Sequence, residues 1–371
     1  MDLPAVTDIQ PGDVFAGHRV EGVAGRGGMG VVYRAVQLDL DRPVALKLIA
    51  GALARDDEFR ERFVAESRAA ASIDHPNVIP ILEAGDENGV LFISMRLVEG
   101  TDLRELIAAE GRIAPLRAAR IVRQVGAALD AAHARGLVPR DVKPANVLLA
   151  RGDHVYLSDF GLAKREEEAG GLTRQGSIVA RAEYVAPEQI IEDRVDALTD
   201  VYALGCLLYE ALTGEAPFEG WTEGPAIMAH VNAPPPSPLE RRPDLPPQLD
   251  EVVRRAMAKQ PSERYPSAGD LGQAALVAVG ELRRAGTESV VATGDAAPFS
   301  FGAELSTPPE WDEELAGARA DDPHAETGSP AAAAAERPRD RATALRWGIA
   351  LAVLAVLAIG MVAALGALNN L

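Results

Sequence analysis

The densest chemistry in this 371-residue chain lies in two places. The first is a glycine run, Gly25-Arg26-Gly27-Gly28-Met29-Gly30, continued at once by Val31-Val32-Tyr33-Arg34-Ala35-Val36. Glycines leave room for backbone N–H groups to close on phosphate oxygens. A lone G-x-G-x-x-G also opens dinucleotide-binding units, but there it leads into a helix. Here β-branched residues carry on as a strand, so the run reads as a hairpin. Next comes Lys47, closing the apolar stretch Val44-Ala45-Leu46-Lys47. An ammonium in such a strand needs an anionic partner or a shifted pKa. Glu66, in a segment of helical periodicity, is the carboxylate placed to pair with it. Taken singly, each has a bland reading, since strand-end lysines and helical glutamates usually face solvent.

The second place is Pro139-Arg140-Asp141-Val142-Lys143-Pro144-Ala145-Asn146, followed 13 residues after Asn146 by Asp159-Phe160-Gly161. Ala186-Pro187-Glu188 begins 27 residues beyond Asp159. With the glycine run, Lys47 and Glu66, these segments resemble the protein-kinase signature set in order and spacing. GRGGMGVVYRA and RDVKPANVLL resemble the bacterial Hanks-type (eukaryotic-like) serine/threonine kinases in particular. The resemblance covers about Phe15 to Leu282. It implies an α+β, bilobal fold, with a small β-rich N-lobe and a larger helical C-lobe.

Roles follow from that resemblance. Gly25, Arg26, Gly27, Gly28, Met29 and Gly30 would cover the phosphates of ATP. Lys47 would hold the α- and β-phosphates while salt-bridged to Glu66. Asn146 and Asp159 would give oxygen ligands to Mg²⁺, with Mn²⁺ an acceptable substitute. Asp141 would accept the substrate hydroxyl proton, and Lys143 would contact the γ-phosphate, as in Ser/Thr rather than Tyr kinases. Val32, Ala45 and Leu148 would wall the adenine. Met95 matches the gatekeeper, and the backbone of Arg96 and Val98 would bond the base. Glu188 with Arg264 matches a structural ion pair, and Asp200 the aspartate that braces the catalytic loop. Thr173 and Ser177 are the hydroxyls available for phosphorylation between the two motifs, and a phosphate on either would pair with Arg140. Thr173, in Leu172-Thr173-Arg174, is the first choice.

Two departures stand out. The family usually has His where this chain has Pro139; proline fixes φ and offers no imidazole to stack on Phe160. Related kinases also read Gly-Thr shortly before the tyrosine, where this chain has Ala180-Arg181-Ala182-Glu183-Tyr184. Arg181 is placed either to pair with Asp141, lowering its basicity, or to face solvent.

The elements that must position these groups are legible as patterns. Strands are expected at Arg19–Val23, Val31–Leu38, Val44–Ile49 and Val90–Met95. A helix near Asp57–Ile73 carries Phe59, Phe63, Glu66 and Ala70 on one face. Longer helices are expected at Leu116–Arg135 and Thr199–Leu212, with short strands at Val147–Leu149 and His154–Leu157 between them. The proline-crowded stretch Ala233–Pro247 reads as an extended loop.

Composition bounds the rest. Hydrophobic residues make up 47% and charged ones 25%, which suits a sizeable core. A formal net charge of −18 argues against nucleic acid as a partner. The single cysteine, Cys206, excludes an internal disulfide framework. Residues 286–340 carry 12 Asp and Glu against three Arg and few large apolar groups, the signature of a disordered linker. Phe299, Phe301 and Trp311 interrupt it, either as a docking motif or as scattered linker aromatics. Trp347–Leu368 holds no charge, and its 22 residues would span roughly 33 Å as a helix, enough for a bilayer core. Arg337, Arg339, Arg341 and Arg346 precede it, so the N-terminal portion is expected to be cytoplasmic, with only Asn369, Asn370 and Leu371 beyond the span. A buried core helix is the alternative. Gly360 and Gly366 would let two spans pack as a homodimer, though not at strict G-x-x-x-G spacing.

The expected organisation is a tail (1–14), a kinase-like domain (15–285), an acidic Ala/Pro-rich juxtamembrane linker (286–343) and a single-pass transmembrane helix with a minimal extracytoplasmic tail (344–371). The expected function is phosphoryl transfer from ATP to Ser/Thr hydroxyls of protein substrates. A pseudokinase acting as a nucleotide-binding membrane scaffold is the alternative, motivated by Pro139 and Arg181. A small-molecule kinase fits less well, because the Ala186-Pro187-Glu188 segment and Arg264 resemble protein kinases.

Overall fold

β-Branched runs separated by tight turns build the first half of the domain. In a computed structural model of the chain, residues 9–27, 30–49, 57–159, 183–191, 195–220 and 223–280 are described. Six strands form one antiparallel sheet: β1 (Val14–Phe15), β2 (His18–Gly27), β3 (Gly30–Gln37), β4 (Arg42–Ile49), β5 (Ile81–Glu87) and β6 (Val90–Arg96). Their spatial order is β1-β2-β3-β4-β6-β5, which puts β4 inside the sheet. Alternation along β4 sends Val44, Leu46 and Leu48 into an outer cluster with Tyr33 and Phe92. Ala45 and Ile49 go to the opposite face, which joins the main core. Lys47 shares the parity of Ala45 and Ile49, so the same alternation turns it toward the interior of the domain.

Helix α1 (Asp57–Ala71) covers that inner face. Phe59, Phe63, Ser67 and Ala70 are all buried, and Glu66 is half-buried beside them. The expected strands and this helix are present. Strand β5 was not expected, because Glu83, Asp86 and Glu87 hide its pattern; it lies at the sheet edge, where such residues face water.

The second half is helical: α2 (Leu103–Glu110), α3 (Pro115–His133), α4 (Pro187–Ile190), α5 (Ala197–Thr213), α6 (Glu223–Asn232), α7 (Pro238–Arg241), α8 (Gln248–Ala256) and α9 (Ala268–Ala278). A small sheet, β7 (Thr101–Asp102), β8 (Val147–Ala150) and β9 (His154–Leu157), lies among them in the order β7-β8-β9. Asp102, Asp196 and Ser267 cap α2, α5 and α9, each accepting a hydrogen bond from the first turn. Nearly every side chain of α5 is buried, as expected of a helix that is apolar all round.

One expectation is corrected. The stretch 233–247 is not wholly extended but contains α7. Pro238 stands at the first helical position, where its missing N–H costs nothing, and Ser237 Oγ accepts from the Leu239 amide at 3.2 Å. Arg242 then anchors the stretch by donating to the carbonyls of Ile113 (2.8 Å) and Leu212 (3.1 Å). The linker 286–343 and the apolar span within 344–371 lie outside the described residues. Among the described residues, no helix is long and apolar enough to cross a membrane.

Helices α3 and α9 approach closely because glycines face each other's backbone. A Cβ on Gly126 would lie 2.4 Å from the Ala268 carbonyl oxygen, and one on Gly272 would lie 2.6 Å from the Arg123 Cα. Asp130 reinforces the contact, accepting from the amides of Ala268 and Gly269 at 3.0 Å each. In an isolated helix Gly→Ala gains up to about 1 kcal/mol. Here overpacking against backbone costs about 1–3 kcal/mol, so Gly126→Ala is expected to lower the urea midpoint. An unchanged or raised midpoint would contradict the packing.

Candidate active site

Lys47 sits in the middle of β4, opposite Val32 of β3 and Ile93 of β6. Its side chain is 10% exposed, and its Nζ lies 2.5 Å from Asp159 Oδ1, on the segment after β9. A buried ammonium thus has its compensating charge. Asp159 takes φ +56°, a left-handed conformation uncommon for a residue with a side chain. Such strain persists where neighbours over-determine the backbone. They do so here, because the Ser158 amide and hydroxyl both donate to the Asn146 carbonyl, at 2.9 and 3.1 Å.

Asn146 closes a short 3₁₀ turn, Pro144–Asn146, and is buried. Its Nδ2 donates to the Asp141 carbonyl (2.8 Å) and to Asp141 Oδ2 (3.2 Å). Lys143 Nζ lies 2.9 Å from the same Oδ2. Asp141, Lys143 and Asn146 therefore form one linked group, joined through the Asn146 backbone to the segment that carries Asp159 and hence Lys47.

The donor set suits a hard divalent cation. With Asn146 Nδ2 committed to Asp141, the amide Oδ1 is the atom left for a metal, and the Asp159 carboxylate supplies a second oxygen. Among the described residues, no three His, Cys, Asp or Glu side chains gather to hold a metal alone.

A buried aspartate props this loop from beneath. Asp200, on α5, is fully buried; its Oδ1 accepts the Arg140 amide at 2.8 Å and its Oδ2 meets His133 Nε2 at 2.8 Å. Arg140 itself is held at φ +59°. His133, at the end of α3, carries no motif that marks it, and sequence reasoning missed it. Pro139 is buried next to this brace.

The Glu188–Arg264 pair is also present, and it is bidentate. Arg264 Nη1 and Nη2 donate to the two carboxylate oxygens at 2.7 Å each, and Thr199 Oγ1 donates to Glu188 Oε1 at 2.8 Å. Burial alone would raise the Glu188 carboxyl, but the Arg264 bonds and charge outweigh it and hold the group below its ordinary value. Four residues before Glu188, Tyr184 donates to Glu210 Oε2 at 2.5 Å, a link from the segment to α5 that was not anticipated. Burial, aided by Glu183 and Glu219, pushes the Glu210 carboxyl up to about 7 despite that bond.

Of the residues expected to wall an adenine, Ala45 and its direct cross-strand partner Met95 are both buried. Val32, Val98 and Leu148 pack against the same core, half-buried. The Arg96 amide, one of the backbone groups expected to bond a base, donates to the Pro80 carbonyl at 3.0 Å. Gly25, Arg26 and Gly27 pair with Val32, Val31 and Gly30, confirming the hairpin. Gly30 has φ +147°, and a Cβ there would fall 1.9 Å from the Leu48 carbonyl oxygen, so no other residue fits. Gly28, Met29, Phe160, Thr173, Ser177 and Arg181 lie outside the described residues.

The family model "Protein kinase domain" matches residues 18–274. Serine/threonine-protein kinase PknH of Mycobacterium bovis is 42% identical over 274 residues, 74% of this chain and 46% of that protein. Serine/threonine-protein kinase PknD of Mycobacterium tuberculosis is 41% identical over 300 residues, 81% of this chain and 44% of that protein. The chain thus spans less than half the length of these relatives. The crystal structure of the Mycobacterium tuberculosis PknI kinase domain superposes with a TM-score of 0.60 at 34% identity, over 73% of this chain and 99% of that one.

Removing Arg264 would leave Glu188 buried and uncompensated. Arg264→Ala is therefore expected to cost about 3–5 kcal/mol at pH 7 in urea unfolding. The Glu188 carboxyl is depressed in the fold, so its contribution is present above its unfolded pKa and lost as pH falls through the folded one. The gap between wild type and variant should narrow in acid, and a gap equal at pH 7 and pH 4 would contradict the assignment.

Proposed function

The chain belongs to the protein kinase family, in its bacterial Hanks-type branch, and we propose that it transfers the γ-phosphoryl group of ATP to serine and threonine hydroxyls of protein substrates. One observation carries this reading: Asp141, Lys143 and Asn146 are hydrogen-bonded into one group, and Lys47 and Asp159 meet beside it.

Each residue has work suited to its surroundings. The Asp141 carboxylate, half-buried and held by Asn146 and Lys143, accepts the proton of the incoming hydroxyl and orients its oxygen for in-line attack. Lys143, 2.9 Å from Asp141, is within reach of a γ-phosphate presented to that hydroxyl. Lys47 holds the α- and β-phosphates from β4, with Glu66 of α1 as its second anionic partner. Asn146 and Asp159 offer oxygen ligands to Mg²⁺, or to Mn²⁺. When bound, the cation supplies positive charge between the β- and γ-phosphates. Val32, Ala45, Met95 and Leu148 exclude water around the adenine, and the Arg96 carbonyl and Val98 backbone bond its edge.

Regulation and location belong to the same proposal. Thr173, and secondarily Ser177, is autophosphorylated and pairs with Arg140. Residues 347–368 anchor the chain as a single-pass span with the kinase domain cytoplasmic, and residues 286–343 act as the acidic tether. Pro139 and Arg181, the two departures from the family's pattern, motivate a second reading, a catalytically weak scaffold that binds nucleotide. One assay separates the two. Incubated with labelled ATP and Mg²⁺, the chain should phosphorylate itself, Asp141→Asn should lose at least about 10²-fold in rate, and Thr173 should carry label. Nucleotide binding without any turnover would leave the scaffold.

The anchor is tested separately. Deleting Arg346–Leu371 should move the protein from the membrane pellet to the soluble fraction while ATP binding persists. Full-length protein that fractionates as soluble would refute it.

A further inference from the structure

The last described helix does not close the surface it lies on. Between α8 and α9 runs an open groove of about 600 Å³, lined by Val252, Arg255, Tyr265, Pro266, Ala274 and Val277 among others. Val277 is 52% exposed, a large apolar side chain left in water on the final turn of α9. The Arg255 guanidinium lies over the Tyr265 ring, 4.4 Å from its centroid, and widens the flat surface. The rim is mixed in charge, since Glu251 and Asp270 line it with Arg255, so apolar contact rather than charge must recruit an occupant.

The chain itself continues from this edge. Gly280 lies two residues past the end of α9, and Phe299 comes 19 residues later. Nineteen residues reach at most about 65 Å and, as a flexible coil, average about 25 Å, so the groove lies within easy range of the tether. The acidic stretch 286–340 has only three aromatic residues, and two of them form the triplet Phe299-Ser300-Phe301. In extended backbone, residues two apart project to the same side, roughly 6.6 Å from each other. Both rings would then enter one groove while Ser300 faces water. Each ring would bury on the order of 150–250 Å².

We propose that the groove between α8 and α9 is a docking site for this chain's own segment around Phe299-Ser300-Phe301. Docking folds the linker back along the large lobe and shortens the free tether to the residues that follow. The proposal depends neither on phosphoryl transfer nor on the membrane span.

A cysteine-pair experiment in the full-length chain tests it. The native Cys206 is fully buried, and burial pushes its thiol up, so it stays silent under mild oxidant. Gln273→Cys, on the exposed rim of the groove, is combined with Ser300→Cys, and the rate of intramolecular disulfide closure is measured. The tether alone gives a baseline rate, which two further changes expose. Adding Phe299→Ala with Phe301→Ala removes the occupant, and adding Val277→Asp places a charge in the groove at a position that already faces water. Each is expected to slow closure at least about fivefold, because docking raises the local concentration above that of the free tether. If either change leaves the rate unaltered, the segment is not held in this groove. A disulfide-linked dimer as the main product would assign the groove to a second copy and equally overturn the proposal.

Discussion

Opposite charges meeting between the sheet and the helical half organise this molecule. Lys47 is carried by the innermost part of the six-stranded sheet, and Asp159 by the segment that leaves the small sheet of the helical half. The buried Lys47 ammonium would not sit comfortably alone in such a place, and the more exposed Asp159 carboxylate compensates it. Under the proposed function the pair is where the phosphates and metal of a nucleotide would be received, with one positive and one negative group to be shared with them. Alternation in β4 explains why the lysine points there. The left-handed backbone at Asp159 explains how the aspartate reaches it.

Strain of this kind has to be held by something, and the brace is buried. Asp200 spends both carboxylate oxygens below the loop, on the Arg140 amide and on His133. Asn146 spends its carbonyl on Ser158 and its amide on Asp141. The loop carrying Asp141 therefore inherits its position from α5 and from the end of α3, elements whose own placement comes from close apolar packing. Deeper still, Glu188 and Arg264 tie α4 to the turn before α9. Precision at the site is thus derived from the most buried part of the large lobe, as a site needing sub-ångström geometry requires.

Much of this could be read from residue patterns alone. Period-two alternation located β2, β3, β4 and β6, and helical spacing of Phe59, Phe63 and Ala70 located α1. Strand β5 escaped because an edge strand with Glu83, Asp86 and Glu87 toward water shows no apolar run. Helix α7 escaped because proline density reads as loop until one proline is seen at a helix start. Within the site, the motif residues were identified by resemblance, and their hydrogen bonds now have geometry. The Lys47–Asp159 contact, 112 residues apart in sequence, and the His133–Asp200 contact are tertiary facts that no local pattern encodes. The same holds for Tyr184 and Glu210, which meet only because α5 passes beneath the segment.

The central claim is that Lys47, Asn146 and Asp159 form one receptor for a nucleotide's phosphates and their metal. Calorimetric titration with ATP, with and without Mg²⁺, addresses it directly in the wild-type chain and in Asp159→Asn. Wild type should bind ATP more tightly when Mg²⁺ is present, and Asp159→Asn should lose that dependence while remaining folded. Equal gains from Mg²⁺ in both proteins would place the metal elsewhere and contradict the account.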